Sequence, residues 1–182
     1  MWLSPVAFWY LRHGETDWNV QGLSQGRTDI PLNDNGLAQA RAAAATLAGR
    51  RFAGIVASPL SRAHVTAQIV GAAVGLPVVT DPELQEAEFG TLEGRRMAQA
   101  FDDWVAERST PEGAESFATL RVRAVATLNR LLASPAPLLV VGHGAFFRAL
   151  RSAMGLPANV RLPNATPILC QPDGATWRLQ PA

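Results

Sequence analysis

Two short apolar runs, each halted by a histidine between or beside glycines, constrain this chain more than any other feature. Val6 to Leu11 stops at Arg12-His13-Gly14, and Leu138-Leu139-Val140-Val141 stops at Gly142-His143-Gly144. Continuous apolar runs of this length read as strands covered on both faces, as in a parallel sheet flanked by helices, and they place the polar residues at the strands' C-terminal ends. Open α/β sheets bind ligands along that edge. A third run, Gly54-Ile55-Val56-Ala57, is followed by Ser58-Pro59-Leu60-Ser61-Arg62. Ser58 suits an N-cap and Pro59 a first helical position, so a helix is expected right at the strand end with its free amides on the ligand edge. Arg62 then falls in the first turn, where it opposes the helix dipole and needs another reason to be there, either a surface salt bridge or a ligand. An Arg beside a His offers a planar fork for phosphoryl oxygens, and Gly14 lets backbone approach the ring. Three strand ends with complementary anion chemistry point to phosphoryl transfer.

The remaining chain supplies scaffold and cover. At 182 residues it is expected to be a single domain, 1–182, without a linker. Asp17 to Leu32 is rich in Gly, Asn, Gln and Asp and reads as a loop over the first strand end, with Asn19, Gln25, Arg27 and Thr28 as candidate lining residues. Asn33 caps a helix with Leu37, Ala40, Ala44, Leu47 and Ala48 at helical spacing and Gly49 as its stop. Thr66, Ile69, Val70 and Ala73 form a similar stripe after Arg62. Pro77 to Thr80 is a further strand. From Asp81 to Gly94 acids, glycines and bulky apolar residues alternate, as in a loop folded back over a site, and composition alone does not choose among Glu83, Glu86, Glu88 and Glu93 as a general acid. Arg95 to Trp104 is expected to be helical and Arg108 to Ala114 a polar loop. Ser116 starts a long amphipathic helix ended by Pro135 and Pro137, a helix follows Gly144 as far as Met154, and Pro172-Asp173-Gly174 turns a C-terminal hairpin.

Composition removes whole classes of function. All 16 basic residues are Arg, which excludes a Schiff-base lysine and the lysine of a Walker loop. With 48% hydrophobic residues, 17% charged and a net charge of +1, the chain has no bulk attraction to nucleic acid or membrane, so anion binding must be local. No segment is long enough to span a bilayer. The opening stretch lacks a basic n-region and a cleavage site, and the lone Cys170 lies in an apolar stretch as a buried thiol would; both fit a cytoplasmic protein. His13, His64 and His143 show neither helical pair spacing nor a neighbouring carboxylate cluster, which argues against a metal site, and His64 is taken as an ordinary side chain.

Taken together, strand-Arg-His-Gly-Glu-Thr, Ser-Pro-Leu-Ser-Arg-Ala, Leu84-x-Glu86-x-x-Phe89-Gly90-x-x-Glu93-Gly94 and Gly142-His143-Gly144 resemble the histidine phosphatase superfamily, branch 1, which holds the cofactor-dependent phosphoglycerate mutases and many small phosphatases. The likeness runs in order from about Val6 to Leu150. It implies a phosphoglycerate mutase-like fold, a three-layer α/β/α sandwich around a mostly parallel sheet. By the same resemblance His13 is the nucleophile that becomes phosphohistidine, Arg12, Arg62 and His143 form the phosphate pocket, and Glu86 is the acid. Asn19 and Gly144 are further substrate contacts, the latter through its amide. The implied reaction is metal-independent hydrolysis of small phosphorylated metabolites, with no cofactor and no partner beyond substrate; a homodimer is left open. Sugar phosphates and the nucleotide-like ribazole phosphate are leaving-group candidates by analogy. Ala145 stands where many relatives have Gly after the second His-Gly, a change that narrows the pocket without disabling it, and two departures from the mutases favour a phosphatase: Met97 stands where mutases have Lys, and the long insertion bearing extra arginines is missing. Arg95 and Arg96 are the residues that could replace that charge, which keeps a phosphoglycerate mutase as the alternative. A non-catalytic phospholigand-binding member is the remaining one, disfavoured because the full set of five residues is retained.

Overall fold

Residues 2–182 are described by a computed structural model. In chain order it contains β1 (Phe8–Arg12), α1 (Asp17–Gln21), α2 (Asp34–Leu47), β2 (Gly54–Ala57), α3 (Ser61–Val74), β3 (Val78–Thr80), α4 (Ala98–Val105), α5 (Phe117–Leu131), β4 (Leu138–Gly142), α6 (Gly144–Ala153), β5 (Pro167–Asp173) and β6 (Thr176–Pro181). One sheet runs β3-β2-β4-β1-β5-β6; the first four strands are mutually parallel and the C-terminal hairpin adds antiparallel to β1. The expected α/β sandwich and its mostly parallel sheet are therefore present.

Strands β1 and β4 are the two central strands of the sheet and are buried at every position. Their side chains alternate between two cores, as strand geometry requires. Phe8, Tyr10 and Val140 face Phe117, Leu120 and Leu128 of α5 with Phe146, Phe147 and Leu150 of α6. Trp9, Leu11, Leu139 and Val141 face Ala43, Ala44 and Leu47 of α2 with Ala67 and Val70 of α3. The outer strand β6 shows the half-buried alternation of a sheet margin, with Trp177 and Leu179 turned inward.

Three local expectations change. α3 begins at Ser61 rather than Pro59: the Ser58 hydroxyl lies 2.7 Å from His143 Nε2, and the helix start is held instead by Asp29 Oδ1, which accepts from Ser61 N at 2.8 Å. The Asp17–Leu32 segment is not all loop, because Thr16 and Asn19 form a reciprocal capping box that launches α1. The helix expected from Arg95 starts at Ala98, since a 3-10 turn over Gly90–Leu92 and the left-handed Gly94 occupy the approach. Ala48 and Ala73, ends of the two expected stripes, are exposed, while Gly36, Ala63 and Gly71 are buried.

Gly14 and Gly36 bring α2 against the end of β1. A Cβ on Gly36 would lie 2.0 Å from Glu15 O, and one on Gly14 would lie 2.4 Å from Gly36 O, so neither position has room for a methyl group. Gly36→Ala is expected to lower stability by about 1–3 kcal/mol, the usual cost of overpacking, and urea denaturation checks this; an unchanged midpoint would contradict the contact.

Candidate active site

The C-terminal ends of β1, β2 and β4 deliver their polar residues to one place. Arg12 is in register with Gly142, and His13 N donates to Gly142 O at 3.0 Å, so the two histidines leave adjacent strands side by side with ring centroids 5.4 Å apart. The buried Tyr10 hydroxyl fixes this junction, donating to His143 O and accepting from His143 N, each at 2.9 Å. Above it lies a cavity of about 340 Å³ whose walls include Arg12, His13, Asn19, Arg62, Glu86 and Gly144. Six of the seven expected residues thus share one cavity. His143 is fully buried beside His13 rather than on the cavity wall.

His13 Nδ1 is 2.7 Å from Gly14 O. A carbonyl can only accept, so Nδ1 carries the proton and the neutral ring leaves Nε2 with a free lone pair. Burial, then the charges of Arg12 and Arg62, hold His13 well below the usual histidine range against the opposing pull of the Gly14 carbonyl. His143 is pushed the same way by burial, then by Arg62, His13, Arg12 and Arg123.

The two expected arginines are anchored by carbonyl oxygens. Arg62, fully buried, donates from Nη1 to Thr28 O at 2.9 Å and from Nη2 to Gly26 O at 2.7 Å. Gly26 can present that carbonyl because it adopts φ +55°, which L side chains rarely accept. Arg12 Nη1 donates to Leu162 O at 2.8 Å; burial, then the Arg161 charge, lower it to about 10, so it stays a cation at neutral pH. Arg12 Nε, Arg62 Nε and His143 Nδ1 are buried without a hydrogen-bond partner among the described residues. Buried polar atoms left unpaired are costly and rare, and a cluster of them around one histidine suits an anion with several oxygens.

Among the four candidate acids the fold discriminates by long-range contact. Glu86 reaches the start of α6, where Oε2 accepts from Ala145 N and Oε1 from Phe146 N, each at 2.8 Å, and Oε1 also accepts from its neighbour Ala87 N at 3.0 Å. Helix N-terminal amides are natural carboxylate partners. Glu93 instead binds Thr28 N, Thr28 Oγ1, Arg27 N and Phe89 N; burial raises its carboxyl, but these donors outweigh it and the net shift is downward. Glu83 is exposed, and the exposed Glu88 faces Arg27 across 3.8 Å.

Several residues that hold the site carried no signal in the sequence. Arg123 of α5 donates to the carbonyls of Glu83, Gln85 and Glu86 and pairs with Glu115 at 2.7 Å, clamping the segment that carries Glu86. Asn164 Nδ2 donates to His13 O and to Asn19 Oδ1, so Asn19 serves the α1 cap and this loop while lining the cavity. Gln25 also lines it, Arg27 lies outside in ion pairs, and Thr28 contributes its carbonyl. Arg95 and Arg96 are exposed and off the wall; the additional positive charge comes from Arg148 and Arg161. Ala145 and Met97 both line the cavity, with Phe89, Ala98 and Phe101 forming its lid side. Cys170 is buried, which pushes its thiol up and leaves it an inert part of the core. No helix among the described residues is long and apolar enough to cross a membrane.

The model of the histidine phosphatase superfamily, branch 1, matches residues 8–180. The chain belongs to that superfamily. Among its relatives, a probable phosphoglycerate mutase GpmB of Proteus mirabilis is 39% identical over 166 residues, 84% of this chain and 77% of that protein. A mycobacterial glucosyl-3-phosphoglycerate phosphatase solved with VO3 superimposes with a TM-score of 0.82 at 32% identity, covering 95% of this chain and 96% of the other. The α-ribazole phosphatase of Shigella flexneri gives a TM-score of 0.80 at 28% identity, covering 97% and 95%. Within this histidine phosphatase, the neutral state of His13 and His143 has a measurable sign. Their folded values lie below about 6.5, the unfolded value, so unfolding takes up protons once the pH drops beneath it. Stability is therefore expected to fall with pH below about 6.5 by up to ~1.4 kcal/mol per unit for each histidine. Urea titrations between pH 7.5 and 5 with ring-resolved NMR check this; rings that titrate at 6.5 would contradict it.

Proposed function

We propose that this chain is a metal-independent phosphomonoesterase of small phosphorylated metabolites working through a phosphohistidine, with residues 1–182 acting as one catalytic domain in the cytoplasm. The observation that carries this reading is the His13 ring, tied through Nδ1 to Gly14 O, with Nε2 left free beside the unpaired Nε donors of Arg12 and Arg62. In the first step Nε2 of His13 forms a bond to phosphorus while the ester P–O bond breaks, and Glu86 gives its proton to the departing alkoxide. In the second step Glu86 takes a proton from water, whose oxygen attacks phosphorus and releases His13 and inorganic phosphate. Arg12 and Arg62 bind the phosphoryl oxygens through positive charge held in place before the reaction, which is the largest contribution in most enzymes of this kind. His143 stabilises the same group from below through an Nδ1–H: the Ser58 hydroxyl, which accepts from Leu60 N, donates to His143 Nε2 at 2.7 Å, and this leaves the proton of the neutral ring on Nδ1.

Likeness to a probable phosphoglycerate mutase supports a second reading, transfer of the phosphoryl group between positions of one molecule with bisphosphoglycerate as primer. The missing insertion and the outward-facing Arg95 and Arg96 weigh against it. Release of inorganic phosphate from a panel of monoesters in the presence of chelator, with 3-phosphoglycerate assayed with and without 2,3-bisphosphoglycerate, separates the two: free phosphate supports the phosphatase, isomerisation without it the mutase. His13→Ala is expected to abolish turnover and an acid-labile phosphoprotein in rapid quench, and a labelled His13→Ala protein would overturn the role. Glu86→Gln is expected to lower kcat by about 10²–10⁴-fold, the range of general acid–base catalysis. Arg62→Lys is expected to fail as well, since an ammonium cannot span the Gly26 and Thr28 carbonyls and keep a donor on phosphate.

A further inference from the structure

Four arginines line the cavity, Arg12, Arg62, Arg148 and Arg161, and the phosphoryl chemistry uses two. Those two are held by carbonyl oxygens. Arg148, on α6, has a buried Nε with no hydrogen-bond partner, and its guanidinium carbon lies 4.8 Å from the centroid of the Phe101 ring. Among the described residues, every salt bridge involves other side chains, so neither Arg148 nor Arg161 has a carboxylate within 4.0 Å. Glu86 and Asp102 act on Arg148 only from beyond ion-pair distance, and a half-buried guanidinium without a direct partner favours an anion that can meet it.

The location of this pair is specific. A Cβ on Gly144 would lie 3.4 Å from Arg12 Nε and 3.5 Å from Arg148 Nη1, so both groups open onto the same space over a residue with no side chain to fill it. The charges that act on His13 are those of Arg12 and Arg62, whereas Arg161 and Arg148 act on Arg12. The second pair of arginines shares the cavity wall with Arg12, and Arg148 meets it over Gly144. The lid side of the same cavity carries the apolar side chains of Phe89 and Phe101, which suit a short carbon skeleton.

We infer that Arg148 and Arg161 receive a second anionic group, a carboxylate or a second phosphate, carried on the leaving alcohol of the substrate. This rests on the phosphomonoesterase reading above and narrows its substrate class to esters whose alcohol is itself an anion. Arg148 is the stronger contact because its guanidinium lies over the Phe101 ring and its Nε is desolvated; Arg161 is exposed.

The test compares kcat/KM for 3-phosphoglycerate, fructose 1,6-bisphosphate and glycerol 1-phosphate, which carry a carboxylate, a second phosphate and no second anion, using wild-type protein, Arg148→Gln and Arg161→Gln. The wild type is expected to favour one or both anionic alcohols, and the one favoured identifies the group. Arg148→Gln is expected to lose about ten- to hundredfold on it, the size of one charged hydrogen bond, and at least tenfold more than on glycerol 1-phosphate. Arg161→Gln shows a smaller loss of the same selectivity. Equal losses on all three esters, or no wild-type preference, would overturn the inference. If Arg148→Gln does not fold, Arg148→Lys and Arg161→Gln carry the same comparison. Absence of phosphate release from every ester would instead defeat the phosphatase reading. Calorimetric binding of the same three esters to His13→Ala, with and without Arg148→Gln, then decides the subsite alone: equal affinity for all three overturns it.

Discussion

The parallel pairing of β1 with β4 is the constraint on which the site depends. With Arg12 opposite Gly142, the two strands end together, and each chain leaves the sheet through a histidine. Tyr10, reaching across to both the amide and the carbonyl of His143, ties that register to a buried hydroxyl that has no other partner among the described residues. Because β4 ends at Gly142, α6 can start at Gly144, and its first amides face the cavity where Glu86 caps them. A slip of one residue would turn every inward side chain of β1 to the opposite core. The two cores, one with Phe8 and Tyr10 and the other with Trp9 and Leu11, therefore hold the chemistry in place as firmly as the hydrogen bonds within it.

What could be read from the sequence follows from how local each determinant is. The strand ends were legible because a strand covered on both faces must be an unbroken apolar run, so the residue that breaks it is marked. Arg62 was legible as a conflict, a cation at the positive end of a helix. Glu86 was not separable from Glu83, Glu88 and Glu93 by composition, and only family resemblance singled it out. The contact that selects it, with amides about sixty residues later in the chain, leaves no trace in the acidic segment itself. Ser58 shows a local rule shared with a distant partner: its hydroxyl accepts from Leu60 N at 3.3 Å as a cap would, yet lies closer, at 2.7 Å, to His143 Nε2, and α3 starts only at Ser61. Arg148 sits in an amphipathic helix, where an Arg reads as an ordinary solvated position, and Asn164 sits in a loop without a motif.

The electrostatics of the cavity separate two groups that respond to burial in opposite ways. Removing water pushes both histidines toward their neutral forms, and the arginines beside them push further in that direction. A guanidinium starts so far above neutral pH that the same burial leaves it charged, as the value of about 10 for Arg12 illustrates. The result is an uncharged ring with a free lone pair in a positive field, the combination on which the proposed attack on a phosphate dianion rests. Neither half of it requires a metal-ligand cluster, and no group of three His, Cys, Asp or Glu side chains suited to one occurs among the described residues.

How the arginines are held decides whether that field survives. Arg123, outside the cavity, is neutralised by Glu115 and works as a structural clamp. Arg12 and Arg62 are oriented instead by the carbonyls of Leu162, Gly26 and Thr28, which fix the guanidinium planes without cancelling their charge. A carboxylate in place of any of these carbonyls would hold the same geometry at lower desolvation cost, yet it would compete with phosphate oxygens for the same cation and oppose a dianion a few ångströms away. Carbonyl anchoring keeps the full attraction for the ligand and leaves the burial of like charges to be offset by the packed core. The one carboxylate admitted to the wall, Glu86, is held on the backbone amides of α6 rather than on an arginine. Among the described residues it makes no salt bridge with any arginine, although its charge still reaches Arg12, Arg62 and Arg148.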